Sequence, residues 1–166
     1  MLQWLAAPNA SDFDDLASLL VDAVENGASV NWVVPPSQAE AVGWWRAAAA
    51  ETGTELLVHR DQAGRIVGCV RLMPARQPNG HHRAEVGKLL VHSEARGQGI
   101  ATKLMAELEA HARSRGLTLL HLDTETGSYA QGFYQRRGWI EFGILPNHTV
   151  SPAGELSATT FFYKTL

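Results

Sequence analysis

One stretch restricts the fold of this chain more than any other. In "LLVHSEARGQGIATKLM", the apolar run Leu89–Val91 passes through a polar, glycine-bearing turn into a regular segment, so it reads as strand, turn and helix in succession. Ile100, Leu104, Leu108 and Ala112 recur every four residues after the turn, on one helical face, and Gly116 stops the helix. The first N–H groups of a helix have no partner inside it, and with the helix dipole they form a place for an anion, above all a phosphate. Gly97 and Gly99 carry no Cβ, so such a group can approach the backbone closely, and Arg96 adds positive charge. A plain strand-to-helix turn, with glycines serving conformation alone, explains the same residues. A P-loop would need a Lys-Ser/Thr pair after the second glycine, and none is present. A dinucleotide fingerprint would need a third glycine where position 102 is Thr, and it would follow a first strand, not lie in mid-chain.

The rest of the chain supplies a sheet and more helices. "LQWLA" reads as an edge strand. In "SDFDDLASLLVDAVENG", Leu16, Leu19, Leu20, Ala23 and Val24 share a helical face, with Ser11 expected as the cap and Gly27 as the end. "SVNWVVPPS" is irregular. Ser37 and Glu40 have capping-box spacing ahead of a second helix with the face Ala41, Trp44, Trp45 and Ala48. "TELLVHR" and "RIVGCVRLM" around "DQAG" predict a β-hairpin. "PARQPNGHHR" is a loop and "AEVGKLLVH" the next strand. "LTLLHLD" is nearly continuous apolar, as for a strand buried on both faces. "SYAQGFYQRRG" predicts a short helix, "WIEFGIL" a strand, "PNHTVSPAGE" a loop and "ATTFFYKTL" a closing strand. The order β α α β β β α β α β β predicts one α/β (α+β) domain over residues 1–166, a mixed sheet with helices packed against it.

Composition sets the outer bounds. With 166 residues the chain suits one domain and can bury a core. Its net charge of −3 argues against a general nucleic-acid binder. The single cysteine, Cys69, permits no internal disulfide and lies in an apolar strand-like run, which marks it as core; this fits a reducing, cytoplasmic setting. The N-terminus has no basic start and reaches acidic residues early, unlike a secretory signal, and no run is long enough to span a membrane. The seven histidines show no metal-ligand spacing, so no metal is expected.

Arg96, Gly99 and Ala101 form R-x-x-G-x-A after an apolar strand. "AQGFYQRRGW" places Ala130, Tyr134 and Gly138 in an A-x-x-x-Y-x-x-x-G pattern, with Trp139 where Phe is usual. Together, and in this order, they resemble the GNAT family of N-acetyltransferases over roughly residues 54–142. "RQPNGHHRAEVGKL", "KLLVHSEARGQGIATKLM" and "LLHLDTETGS", with the early "GASV" and terminal "FFYKTL", are similar to the tabtoxin-resistance acetyltransferases, which act on a small toxic amino-acid β-lactam. The resemblance implies a GNAT fold, a mostly antiparallel mixed sheet of about seven strands flanked by about four helices. It implies acetyl-CoA as co-substrate. Gly97, Gln98, Gly99, Ile100, Ala101 and Thr102 would hold the pyrophosphate, with Arg96 beside them. Leu89, Leu90 and Val91 would pair with the pantetheine arm, the Leu90 N–H serving as oxyanion donor, and Ser128 would cap its helix or touch the coenzyme.

Acetyl transfer needs a neutral amine, a stabilised oxyanion and a proton for the departing thiolate. Glu85, Asp123 and Glu125 are the candidate bases. In an unbroken strand Glu85, Gly87 and Leu89 share a face, and Asp123 lies at the carboxyl end of a central strand, where ligand clefts form. The resemblance adds that Glu85 and Asp123 match the family's carboxylate pair and that Tyr134 is the acid. A solvated or capping role is the other reading of each carboxylate, and core packing that of Tyr134. Trp32 lines the acceptor site or packs in the core or a dimer. The acceptor implied is the primary amine of a small molecule. A peptide or protein amine, and a coenzyme-binding sensor without catalysis, are the alternatives, and a homodimer is allowed.

Overall fold

The computed structural model describes residues 1–28, 30–151 and 154–166. Ser29, in the irregular stretch expected after the first helix, and Pro152 and Ala153, in the loop expected at 146–155, lie outside them. The elements follow the expected order: β1 (Leu2–Leu5), α1 (Ala10–Glu25), α2 (Gln38–Ala50), β2 (Glu55–Arg60), β3 (Ile66–Pro74), β4 (Arg83–Val91), α3 (Ile100–Ser114), β5 (Leu119–Glu125), α4 (Tyr129–Arg136), β6 (Ile140–Val150) and β7 (Leu156–Thr165). The strands form one seven-stranded sheet in the order β1-β2-β3-β4-β5-β7-β6, with β4 and β5 parallel and the other neighbours antiparallel.

Strand alternation divides the apolar residues between two cores. Leu56 and Val58 of β2 face α1 and α2, joining Leu16, Leu20, Trp45, Cys69 and Leu90. Leu57 between them faces the other way, joining Leu104, Leu108, Ala84, Val86, Leu120, Leu122 and Phe162 beneath α3, with Tyr134 and Trp139. A Cβ on Gly68 of β3 would stand 2.9 Å from Ile100 Cγ2 and 3.3 Å from the Leu90 carbonyl oxygen, so a bare backbone at Gly68 lets the first residue of α3 rest on the sheet.

Several expectations need correction. The cap of α1 is Asn9, not Ser11: Asn9 and Asp12 close a reciprocal capping box, and the Ser11 hydroxyl donates to the Asn9 side chain instead. On α2, Ala41, Trp45 and Ala48 are buried but Trp44 is only half-buried, since it stands at the margin of the core. β5 is buried on one face only: Leu120 and Leu122 are covered, whereas Asp123 is exposed, because α1 and α2 pack over β2–β4 and not over β5. β6 continues through Pro146–Val150, where a loop was expected, because β7 begins early enough to pair with it.

Gly68→Ala should lower stability by about 1–3 kcal/mol through overpacking against Ile100. Urea unfolding checks this, and an unchanged midpoint would mean that α3 is not seated so closely.

Candidate active site

The parallel pairing of β4 and β5 is short. It joins Arg83 to Leu119, Ala84 to Leu120 and Glu85 to His121, and goes no further, although β4 runs to Val91 and β5 to Glu125. The cause lies in β4. Gly87 stands opposite Arg71 and Leu90 opposite Cys69, so Lys88 and Leu89 together face the single residue Val70. Lys88 takes φ 52, left-handed for a residue with a side chain. This is a β-bulge, which bends its strand and ends pairing on the far side. A gap results, with the free edge of β4 on one side and β5 on the other.

The bulge also resets the faces. Glu85 no longer shares a face with Leu89, as an unbroken strand would require: Leu90 faces α1 and α2, while Leu89 and Val91 pack towards α3. The backbone polarity follows. His92 N–H donates to the Val67 carbonyl at 3.0 Å, so by ladder alternation the next hydrogen-bonded pair is Leu90 with Cys69. The Leu90 N–H therefore points at β3, and it is the Leu89 and Val91 N–H groups that point into the gap. The N–H that faces the gap is thus that of Leu89, whereas the Leu90 N–H, expected to face it, is turned to β3.

Past Val91 the chain enters the glycine turn. α1, α2 and α4 begin under side-chain caps from Asn9, Ser37 and Ser128, but α3 begins at Gly99 with φ 72 and no side-chain cap. Gly97 has φ 78, and nothing lies within 4 Å of where a Cβ would stand on either glycine. The turn is anchored by Asp22 of α1, which accepts from Ser93 N–H at 2.9 Å and from Ser93 Oγ at 2.5 Å. Arg96 folds back, its Nε donating to the Val91 carbonyl at 3.2 Å and its Nη2 lying 3.6 Å from Asp22. Asp22 was not visible from sequence, because it reads as one more polar residue on an amphipathic helix.

The four candidate proton-handling residues come from three elements, Glu85 from β4, Asp123 and Glu125 from β5 and Tyr134 from α4. Glu85 and Asp123 are exposed, on the face opposite Ala84, Val86, Leu120 and Leu122. His121, beside Glu85, continues to Tyr163 on β7, and Asp123 is opposite Phe161. Tyr134 is buried, its ring 5.4 Å from Phe133, 5.8 Å from Trp139 and 6.0 Å from Phe162. Burial, and then the charge of Asp123, push its phenol well above the usual range, so it stays protonated at assay pH. Glu125 is opposite Thr159, two places beyond Asp123. Ser128 accepts from Gln131 N–H at 3.3 Å, which is a capping role. Trp32 is partly buried against the α1–α2 core.

Lys88 was missed from sequence, although a charged residue inside "VGKLLV" was the available signal. Its Nζ lies 5.1 Å from the ring centroid of Trp44, and burial, followed by the charge of Arg71, lowers its pKa while Asp123, Cys69 and Glu85 oppose the shift. Cys69 is buried and its thiol is pushed up to about 12 by that burial, which removes it as a nucleophile. His81 and His82 stack edge-on at 5.8 Å, and among the described residues no three His, Cys, Asp or Glu side chains converge as for a metal. No helix among the described residues is long and apolar enough to cross a membrane.

A family model described as the acetyltransferase (GNAT) family matches residues 15–139. The chain belongs to the GNAT acetyltransferase family. An uncharacterized N-acetyltransferase from the hisH-hisA intergenic region of Azospirillum brasilense is 31% identical over 130 residues, 77% of this chain and 77% of the relative. The L-methionine sulfoximine/L-methionine sulfone acetyltransferase of Pseudomonas paraeruginosa (strain DSM 24068 / PA7) is 27% identical over 137 residues, 82% of this chain and 79% of the relative. Among solved structures, a phosphinothricin acetyltransferase from Sinorhizobium meliloti in complex with AcCoA shares the fold, with TM-score 0.81 at 20% identity, covering 99% of this chain and 88% of that one. This GNAT enzyme is an acyltransferase whose acyl donor is acetyl-CoA, and the donor fits what the chain offers. An uncapped helix start suits a pyrophosphate, and free strand-edge amides suit the two amides of a pantetheine arm.

Gly99→Asp should abolish acetyl-CoA binding in calorimetry, since it adds a side chain and a negative charge at the helix start. Unchanged affinity would remove the turn as the anion site.

Proposed function

We propose that this enzyme transfers acetyl directly from acetyl-CoA to the primary amine of a small, amino-acid-like molecule. The observation that supports this reading is the gap that opens past the Glu85–His121 pair, with the exposed carboxylates of Glu85 and Asp123 on one face of β4 and β5 and the buried Tyr134 phenol near enough to feel the charge of Asp123. The coenzyme supplies an activated thioester. Gly97 to Thr102 would hold its pyrophosphate with Arg96 and Ser128 nearby, and Leu89, Leu90 and Val91 would flank its arm. Glu85 or Asp123 accepts the proton of the incoming amine, directly or through a water. The Leu89 N–H faces the developing oxyanion, and Tyr134 Oη donates a proton to the departing sulfur. Transfer is direct, because the buried Cys69 thiol cannot serve as a relay. The coenzyme-binding core runs from about residue 54 to 142.

The small-molecule acceptor is supported by the L-methionine sulfoximine/L-methionine sulfone acetyltransferase, which matches over 82% of this chain. A toxin or antibiotic-like amino acid is the acceptor class we favour. A second reading, a protein N-terminal amine, rests on a ribosomal-protein-alanine N-acetyltransferase from Brucella melitensis, with TM-score 0.81 at 26% identity over 100% of this chain and 99% of that one. β6 at the sheet edge exposes Ile140, Phe142, Ile144 and Leu145, a surface that suits a homodimer. The buried, unpaired Cys69 suits a cytoplasmic setting.

Thiol release from acetyl-CoA across a panel of amines tests the reading. Turnover with small amines supports it, turnover only with peptides favours the second reading, and coenzyme binding without any turnover makes the protein a sensor. Tyr134→Phe should lower kcat by roughly 10²-fold or more, with little change in acetyl-CoA affinity. A loss of affinity alone would make Tyr134 a binding residue.

A further inference from the structure

We propose that Lys88 binds the carboxylate of the acceptor and so selects amines that carry an acid group close to the nitrogen. This rests on the amine-acetylation reading above and narrows it. The bulge places Lys88 at φ 52, a conformation that Gly or Asn adopts with far less strain than a lysine. The bulge itself therefore does not explain a lysine there. The side chain turns in towards α2, where its ammonium lies 5.1 Å from the Trp44 ring.

Two cations share that indole, and they differ. Arg71, with its guanidinium 5.5 Å from the same ring, donates to Glu51 at 2.6 Å and to the Ala48 carbonyl at 3.4 Å, so its charge is compensated. Among the described residues Lys88 Nζ makes no ion pair and no hydrogen bond. Glu85 and Asp123 are near enough to act on it through space, without contact. A partly desolvated ammonium without a contact partner is unfavourable, and a ligand anion removes that penalty. An ordinary alkylamine entering between Glu85 and Asp123 would satisfy the carboxylates and leave Lys88 uncovered. An amino acid covers both, its ammonium at Glu85 and Asp123 and its carboxylate on Lys88, with Trp44 walling the site.

The test is thiol release with matched acceptors: the common L-amino acids and L-methionine sulfone, each beside its own carboxamide and its decarboxylated amine. The wild-type enzyme should favour the free acids about 10- to 100-fold in kcat/KM, the weight of one charge-assisted hydrogen bond. Lys88→Met should level acids with carboxamides, mainly through KM for the acids. Carboxamides or decarboxylated amines used as well as the acids would overturn the inference in the wild-type enzyme alone, whatever the variant's stability, and so would an acid preference that survives Lys88→Met. Thiol release from amines lacking a carboxylate would leave the acetylation reading standing without this inference. No thiol from any amine would remove both.

Discussion

Everything about this site depends on one extra residue in one strand. If β4 ran regularly, its hydrogen bonds to β5 would continue towards Val91, and the sheet would offer no entrance. The bulge at Lys88 ends that pairing after Glu85 and leaves backbone donors unpaired on the β4 edge. Unpaired strand-edge groups are a liability unless something covers them. An extended ligand arm with amides of its own is a suitable cover. The same bulge shifts Leu90 to the α1–α2 face, turns its N–H towards β3, and brings Lys88 under Trp44.

The second requirement is a helix start held in place but left uncapped. Gly68 lets Ile100 sit against β3, and Asp22 fixes the turn from the opposite helix layer through Ser93. The open backbone at Gly97 and Gly99 is thus held in place from both layers of the fold. Arg96, turned back onto Val91 and Asp22, braces the turn as much as it charges it. The open half of the sheet leaves Glu85 and Asp123 accessible, while the Tyr134 phenol is buried in the core beneath α3; the proposed reaction assigns the proton transfers to these three groups.

Much of this was legible in the residues. Period and punctuation gave the order of elements, and R-x-x-G-x-A at Arg96–Ala101 marked the uncapped helix. Capping chemistry misled at Ser11, because Asn9 with Asp12 closes a capping box two residues earlier and the Ser11 hydroxyl donates to the Asn9 side chain. The apolar run at 117–122 suggested burial on both faces, but periodicity cannot tell which part of a sheet its helices will cover. The bulge was not legible at all: nothing in "EVGKLLV" sets the register against β3, which long-range pairing with Arg71 and Cys69 decides. Lys88, Asp22 and the direction of the Leu89 N–H escaped for that reason, since each gains its role from a partner far away in sequence.

The central claim is that acetyl-CoA completes the free edge of β4. Amide hydrogen exchange, measured residue by residue with and without acetyl-CoA, tests it most directly. The account predicts marked new protection at the Leu89 and Val91 N–H groups and along Gly99–Thr102, with the Leu90 N–H already protected in the free enzyme by its bond to β3. Saturating acetyl-CoA that leaves Leu89 and Val91 exchanging as they do in the free enzyme would contradict it.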